Sequence, residues 1–483
     1  MKRRYELHKL LIRNFGQPLL RRITGEFPVL ERVDELDRVY RLPREELLRR
    51  QWDKLRNVVK AAYESCPYYA ELLDGVGMKP EDVRTPEDFA RIPFLTKSII
   101  RKRGKDMLAR GADPAKLSES GTAGTTDMPV KFYRTMEVVR EKWAQTASFN
   151  RWYGWDVGDP TAFLWGAAMD IYKPMSVRGR VRKFLANQDV LLPTVPLTEQ
   201  ELEHHWKKLE EFSPTVIQGY PVPLYLLARH VKAAGTSPRR EAGPAPEGAG
   251  GGRLRLPDLR AIVATAEPLY EYQREVIEDA FPCKVYDRYG ARETGLISQE
   301  CVTERSLHVN TEGVYLEIIA DGRPAKEGET GEVIVTDLHN TTMPFLRYQL
   351  GDVAAVSARA CGCGSGLPIM HSMTGRVGDL VVLPNGVMVP GFWFPARLVK
   401  YAPGVDQLQV IQEEPSRFTI KYVPGVNFSP DDMAKMKEMF VILFGKESTA
   451  DFVVVDDIPR DRSGKTRVCI SKVSANFLGV RPE

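Results

Sequence analysis

The sequence predicts an α/β fold: a large domain with mostly parallel sheets, a β-rich extension of it, and a small α+β unit at the end. Three observations carry this expectation. From about residue 160 to 300, short apolar runs alternate with helix-like segments, the pattern of a parallel sheet covered by helices. After about residue 305 the texture turns to β, with alternating runs punctuated by Gly. The last hundred residues hold a helix-like run among several strand-like ones.

The elements follow in order. "REELLRRQWDKLRNVVKAAYES" repeats Leu, Trp and Val at near-helical spacing and ends before Pro67. In "TPEDFARI", Thr85 and Asp88 are spaced as a capping box, with Asp in place of Glu or Gln. A Ser/Thr/Gly loop, "SESGTAGTTDMPVKF" from Ser118 to Phe132, comes next, and then a helix in "MEVVREKWAQTASFNRWYG". "TAFLWG", "TVIQGY", "LRAIVATA" and "CKVYDRYG" read as strands, "PVPLYLLARHVKAAG" and "EYQREVIEDAF" as helices. Gly235 to Arg253 is dominated by Gly, Pro, Ala and charge, which predicts a flexible surface loop, because the alternation resumes beyond it. "GVYLEII", "GEVIVTDL" and "FLRYQLGDVAAV" are strand-like. In the last hundred residues "DLVVLPNGVMV" reads as a hairpin, "LQVIQ", "RFTIKYV" and "TADFVVVDDI" as strands, and "SPDDMAKMKEMFVILFG" as a helix.

Composition narrows the function classes. The chain has 483 residues, 43% hydrophobic and 27% charged, with 68 Lys and Arg against 64 Asp and Glu. A net charge of +4 is too balanced for a nucleic-acid binder. No apolar run approaches the roughly 20 residues of a membrane span, and none has the length of a signal-peptide core. The first 22 residues are basic and partly amphipathic; the expected state is a solvated first helix, with membrane contact the less favoured reading. Six Cys in so long a chain form no disulfide framework, which fits a reducing cytoplasm.

Several segments suggest chemistry. The Ser/Thr/Gly loop can wrap phosphate oxygens with N–H groups and hydroxyls. It is not a P-loop, because Thr125 follows Gly124 where a Lys would stand and the nearest Lys is Lys131. "ATAEPL" and "VYDRYGARETG" follow strand-like runs, and the carboxyl ends of such strands form the ligand crevice of an open α/β sheet. Tyr289 there can stack on a purine, and Glu293 can hold Mg²⁺ beside phosphates; equally, each fits a core aromatic and a helix-end charge. Asp352, after "FLRYQLG", is placed to accept two ribose hydroxyls or to serve as a turn residue. Cys301 and His308 in "ECVTERSLHV", with the C-G-C-G turn at Cys361 and Cys363, make a Cys₃His set suited to closed tetrahedral zinc, or else separate thiols. Cys66, Cys283 and Cys469 read as small packed hydrophobes. His204 and His205 fall in a charged helix and read as a solvated face.

The order of these motifs is more specific than any one of them. The Ser/Thr/Gly loop, A-E-P, Y-G-x-x-E, R-Y-x-x-G-D, G-R-x-x-D and P-R-x-x-x-G-K-x-R, from about residue 45 to 470, resemble the adenylate-forming superfamily of acyl-CoA synthetases. Within it the chain is similar to phenylacetate–coenzyme A ligases and their capsule-biosynthesis relatives. The resemblance implies a multi-layer N-terminal domain over residues 1–376 and a mobile C-terminal domain over 377–483. It implies AMP-forming activation of an aryl or acyl acid, with ATP and Mg²⁺, followed by transfer to coenzyme A. Alternatives are transfer to an amine, a sugar or a carrier-protein thiol, and a non-catalytic nucleotide-binding relative. Ser120, Gly121, Thr122, Gly124 and Thr125 would hold phosphates. Ala266, Glu267 and Pro268 would border the adenine, with Tyr289 on its face and Asp287 and Gly290 beside it. Glu293 would help place Mg²⁺, Asp352 would bind ribose, Arg376 would contact ribose or phosphate, and Lys465 would assist adenylation. Some members carry the Cys…His…Cys-x-Cys arrangement, which favours structural zinc on Cys301, His308, Cys361 and Cys363. The chain departs from the pattern in the extra "TDM" before Pro129, in Arg292 where Thr is common, and in Gly378 where an acidic residue is frequent. Lys131 is expected to point away from the loop.

Overall fold

A computed structural model describes residues 2–24, 29–121, 130–165, 188–194, 197–235, 256–266, 269, 271–320, 322–357, 359–370, 380–384, 388–390, 393–402, 404–425, 427–458 and 469–473. The expected loop at 235–253 and the expected domain boundary at 376 fall outside these residues, apart from Gly235 itself.

Strands β1 (Ser118–Gly121) and β2 (Lys131–Arg134) form an antiparallel ribbon. The main sheet has twelve strands of two kinds. Strands β3 (Thr161–Trp165), β4 (Asp189–Pro193), β5 (Val216–Gly219), β6 (Ala261–Thr265) and β7 (Lys284–Ala291) are all parallel, in the order β4-β3-β5-β6-β7. From β7 onward every pairing is antiparallel. Strands β8 (Gly295–Glu300), β9 (Leu307–Val309), β10 (Val314–Ala320), β11 (Arg323–Pro324), β12 (Thr330–Asp337), β13 (Tyr348–Ser357) and β14 (Ile369–Met370) continue the order as β8-β9-β14-β13-β12-β10-β11. The parallel half therefore ends at Ala291, a strand earlier than the alternating texture suggests.

The parallel half is buried on both faces, and β6 shows why its sequence runs apolar without alternation. Ile262 and Ala264 face helices Glu199–Phe212, Pro221–Ala233 and Glu271–Ala280, packing with Trp206, Leu224 and Ile277. Ala261 and Val263 face helix Met136–Arg151 through Ala144, Ala147 and Phe149. Helix Arg44–Ser65 buries Leu55, Val58 and Val59 against Val333 and Val335 of β12. The capping box forms as expected: Thr85 accepts from the Asp88 N–H, and Asp88 accepts from the Thr85 N–H at 2.9 Å. His205 departs from expectation. It turns inward from its helix, buried, with Nε2 2.6 Å from the Pro193 carbonyl oxygen, while His204 stays exposed.

The C-terminal residues have a core of their own. Strands β15 (Leu380–Val382) and β16 (Met388–Pro390) form the expected hairpin. Strands β17 (Val405–Glu414), β18 (Arg417–Pro424), β19 (Thr449–Val454) and β20 (Cys469–Ser471) pair in the order β19-β18-β17-β20. Helix Pro430–Phe444 begins on a Ser429–Asp432 capping box and packs Phe440 and Phe444 on Phe418.

Candidate active site

The motifs that hold Ala266, Tyr289 with Glu293, and Tyr348 with Asp352, scattered in sequence, meet at the carboxyl ends of β6 and β7. The parallel register sets Ala264 beside Asp287 and Thr265 beside Arg288, so Ala266 leaves β6 next to Tyr289. Ala266 has φ +74°, a left-handed conformation that costs a residue with a Cβ about 1 kcal/mol. Strand β7 then turns back into β8 through Arg292, Glu293 and Thr294. Two glycines make that turn possible. A Cβ on Gly290 would lie 2.8 Å from the Gly295 carbonyl oxygen, and Gly295 itself has φ +79°. The hairpin thus requires Gly290 whether or not a ligand approaches it.

Two hydroxyl–carboxylate pairs tie this hairpin to β13. Tyr348 donates to Oε1 of Glu293 at 2.8 Å, and Tyr289 donates to Oδ2 of Asp352 at 2.8 Å. Glu293 and Tyr348 are buried, Tyr289 and Asp352 half-buried. Burial, reinforced by the Glu293 charge, holds the Tyr348 phenol well above its ordinary value, so it stays a donor. Lys142, from helix Met136–Arg151, pairs with Asp337 at the end of β12 and reaches the Glu293 carbonyl oxygen at 3.4 Å. Burial lowers the Lys142 ammonium below its ordinary value even with Asp337 opposing the shift.

The β1–β2 ribbon, which carries the first and last residues of the Ser/Thr/Gly segment, is anchored at its base to the same hairpin. Ser120 pairs with Phe132 and Gly121 with Lys131, so residues 122–129 connect the two strand ends. At the base of the ribbon, Arg134 donates to the Arg292 carbonyl oxygen at 3.1 Å, and Asn340 donates to the Tyr133 carbonyl oxygen at 2.9 Å. Lys131 pairs with Glu119 at 3.1 Å and is 70% exposed, so it points outward as expected. Asp287 is half-buried; burial, and then the nearby Glu300 charge, push its carboxyl up to about 7.

Of the sequence candidates, Ala266, Tyr289, Gly290, Glu293 and Asp352 are thus brought together; Asp287 lies on the same strand β7, and Ser120 and Gly121 lie on the ribbon whose base is bonded to Arg292. Thr122, Gly124, Thr125, Glu267, Pro268, Arg376 and Lys465 lie outside the described residues. Sequence reasoning missed Tyr348, Lys142, Asp337 and Arg134. Tyr348 was within reach, since it is the Tyr of R-Y-x-x-G-D.

A second constellation lies beyond the far end of β8. Cys301, His308, Cys361 and Cys363 bring one donor atom each within 4.8 Å of one another. The Cys361 and Cys301 sulfurs are 3.6 Å apart, and the Cys363 sulfur is 3.4 Å from His308 Nε2. A tetrahedral ion with Zn–S of about 2.3 Å and Zn–N of about 2.0 Å spaces its donors by about 3.5–3.8 Å, so the edges fit. Thr303 N–H points at the Cys301 sulfur (3.3 Å) and Ser365 N–H at the Cys363 sulfur (3.4 Å), contacts that favour thiolates. Burial pushes the His308 imidazole down to about 4, which leaves it neutral at pH 7, the form that ligates metal. The set is assembled by sheet pairing, with Ile369 of β14 opposite His308 of β9.

The fold, with its half-parallel sheet and separate α+β core, is that of the acyl-CoA ligases. A 2-hydroxyisobutyryl-CoA ligase solved with 2-HIB-AMP and CoA in the thioesterification state aligns with a TM-score of 0.61 at 18% identity, covering 92% of this chain and 93% of that one. The same ligase in the postadenylation state with 2-HIB-AMP aligns with a TM-score of 0.58. The likeness is one of fold. Residues 386–472 match the CapK C-terminal domain family. The phenylacetate–coenzyme A ligase of Thermus thermophilus is 26% identical over 433 residues, 86% of this chain and 87% of that protein. Protein CapK of Staphylococcus aureus is 23% identical over 441 residues, 89% of each chain. Over most of its length the chain is thus similar to phenylacetate–coenzyme A ligases and to CapK, which supports an adenylate-forming enzyme.

Proposed function

We propose that the chain activates an aryl or acyl carboxylic acid with ATP, releasing pyrophosphate, and passes the acyl group from the adenylate to the thiol of coenzyme A. The observation that carries this reading is the convergence of Tyr289–Asp352, Tyr348–Glu293 and the base of the β1–β2 ribbon on one end of the parallel strands. The names of the similar enzymes, and the acyl-AMP and CoA bound in the structural neighbours, support the same chemistry.

In the first half-reaction the substrate carboxylate attacks the α-phosphorus, and negative charge moves onto the leaving pyrophosphate. Preorganised donors near that charge lower the barrier because they need no reorganisation when it develops. Ser120, Gly121, Thr122, Gly124 and Thr125 supply hydroxyls and N–H groups from the ribbon's loop. Ala266, Glu267 and Pro268 border the adenine, Asp287 and Gly290 lie beside it, and Tyr289 offers its face. Asp352 accepts from the ribose hydroxyls while held by Tyr289. Arg376 contacts ribose or phosphate, and Lys465 supplies the ammonium from the C-terminal part of the chain. Glu293, oriented by Tyr348, would hold Mg²⁺, which supplies charge neutralisation to the phosphates. In the second half-reaction the thiol displaces AMP. Cys301, His308, Cys361 and Cys363 would hold a zinc ion with all four positions filled, which makes its contribution structural.

Pyrophosphate exchange across a library of acids, with and without coenzyme A, tests the reading. Acid-dependent exchange followed by CoA-coupled AMP release is the expected result. Exchange with no CoA consumption transfers the proposal to an amine, sugar or carrier-protein acceptor, and no exchange with any acid overturns it. Lys465→Ala is expected to slow adenylation on the order of 10²–10³-fold.

A further inference from the structure

The N-terminal segment is held on the protein body by the wrong face for an ordinary amphipathic helix. It comprises helix Lys2–Leu11, a wide π turn Ile12–Gly16 and helix Gln17–Thr24. Lys9, Ile12, Arg13 and Gly16, spaced as one helical face, hold it on the loop before β3. Lys9 pairs with Asp159 at 2.7 Å, Arg13 pairs with Asp156, and Ile12 and Gly16 are buried. Gly158 admits this close approach, since a Cβ there would lie 3.1 Å from Lys9 Cγ and 3.3 Å from its Cα.

The large apolar side chains go to the other side. Leu7, Leu10, Leu11, Phe15 and Leu19 are exposed, Leu7 by 67% and Phe15 by 70%. Thirteen large apolar side chains are exposed among the described residues and five of them crowd into these thirteen positions, so this is a patch rather than scatter. Leu7, Leu11, Phe15 and Leu19 recur every fourth residue. In a regular α-helix such a row drifts by about 40° per step. The turn at Ile12–Gly16 winds wider than an α-helix, which opposes that drift.

We propose that this row is a docking surface for an anionic lipid bilayer, on which the segment lies without crossing. Charge selects the occupant. Beyond Lys9 and Arg13, which are paired with Asp159 and Asp156, residues 1–22 contain Lys2, Arg3, Arg4, Arg21 and Arg22 against the single acid Glu6, an excess of +4. An apolar stripe in a basic segment is the composition that binds at the lipid headgroup level. No helix among the described residues is long and apolar enough to cross a membrane.

Flotation of the full chain with vesicles tests this. Mixed phosphatidylglycerol–phosphatidylcholine vesicles are expected to carry the protein, less so as salt rises, and phosphatidylcholine vesicles far less. Leu11→Glu/Phe15→Glu alters exposed positions away from the proposed adenylation site. It is expected to lower the vesicle partition coefficient by at least about tenfold, with the thermal midpoint and pyrophosphate exchange unchanged. Arg3→Ser/Arg4→Ser/Arg22→Ser is expected to remove the preference for the anionic lipid. The proposal is overturned by wild-type protein that stays free of anionic vesicles, by equal binding of both vesicle types, or by undiminished binding of the Glu variant. An oligomer that the Glu variant dissociates, in protein that ignores lipid, overturns it in favour of a second copy.

Discussion

The phenol of Tyr289 donates a 2.8 Å hydrogen bond to Oδ2 of Asp352, joining β7 to β13 across 63 residues of sequence. One bond thereby fixes both the ring offered to the base and the carboxylate offered to the sugar. Tyr289→Phe keeps the ring and releases Asp352. The KM for ATP is expected to rise about 3–10-fold with little change in kcat, the span of one net hydrogen bond. Asp352→Ala is expected to cost more. Pyrophosphate exchange at varied ATP measures both.

Tyr348→Phe removes a hydrogen-bond donor from the buried Glu293 carboxylate with little change in packing volume. Expected are a loss of about tenfold in kcat, a higher Mg²⁺ requirement, and about 1–3 kcal/mol of stability. A Mg²⁺ titration of the exchange rate separates this from simple destabilisation, which would leave the requirement unchanged.

Lys142 and Asp337 form a buried ion pair between helix Met136–Arg151 and the end of β12. Asp337→Asn leaves an ammonium buried without its counter-charge and is expected to cost about 3–5 kcal/mol. The double variant Lys142→Met/Asp337→Asn is expected to recover part of that loss. Urea unfolding of the three proteins measures the coupling; strict additivity would show the pair to be inert.

Asp287 carries a pH signature. Its folded value of about 7 lies above the unfolded value of about 4, so the folded state holds this proton more tightly. The stabilisation is complete below about pH 4 and is lost as pH rises through about 7. Asp287→Asn is therefore expected to raise stability at pH 8 relative to pH 5, by about 1–3 kcal/mol. A flat difference across pH 5–8 contradicts the assignment.

For the Cys₃His set, elemental analysis is expected to return about one zinc per chain, and chelation under native conditions to lower the thermal midpoint. Cys361→Ser is expected to lose the metal while pyrophosphate exchange survives below the new midpoint.

Much of this architecture was legible in the sequence because its signals are local. Helix Arg44–Ser65 matches the quoted run end to end, and β3, β5, β6 and β7 fall on the apolar runs read as strands. The change to antiparallel pairing at Gly295 was not visible, because Gly290, Glu293 and Gly295 read equally well as a loop before a helix. Tyr289, Glu293 and Asp352 stand in spaced motifs and were found. Lys142 and Asp337 sit 195 residues apart in segments of ordinary composition, so only the fold makes them a pair. His205 was misread because a buried histidine satisfied by a distant carbonyl leaves no mark in a charged helix.

The pairing of β7 with β8 slips between Tyr289 and Gly290: Tyr289 lies opposite Ser298, but Gly290 lies opposite Leu296. Side chains alternate faces along a strand, so losing or gaining one residue here would turn Tyr289 or Glu293 to the opposite side of the sheet. Away from Gly290 and Gly295, single substitutions can be absorbed in this hairpin, but changes of length cannot. Gaps between this chain and working relatives are therefore expected to avoid residues 287–298 altogether, which makes the stretch a ruler for telling active members from decayed copies.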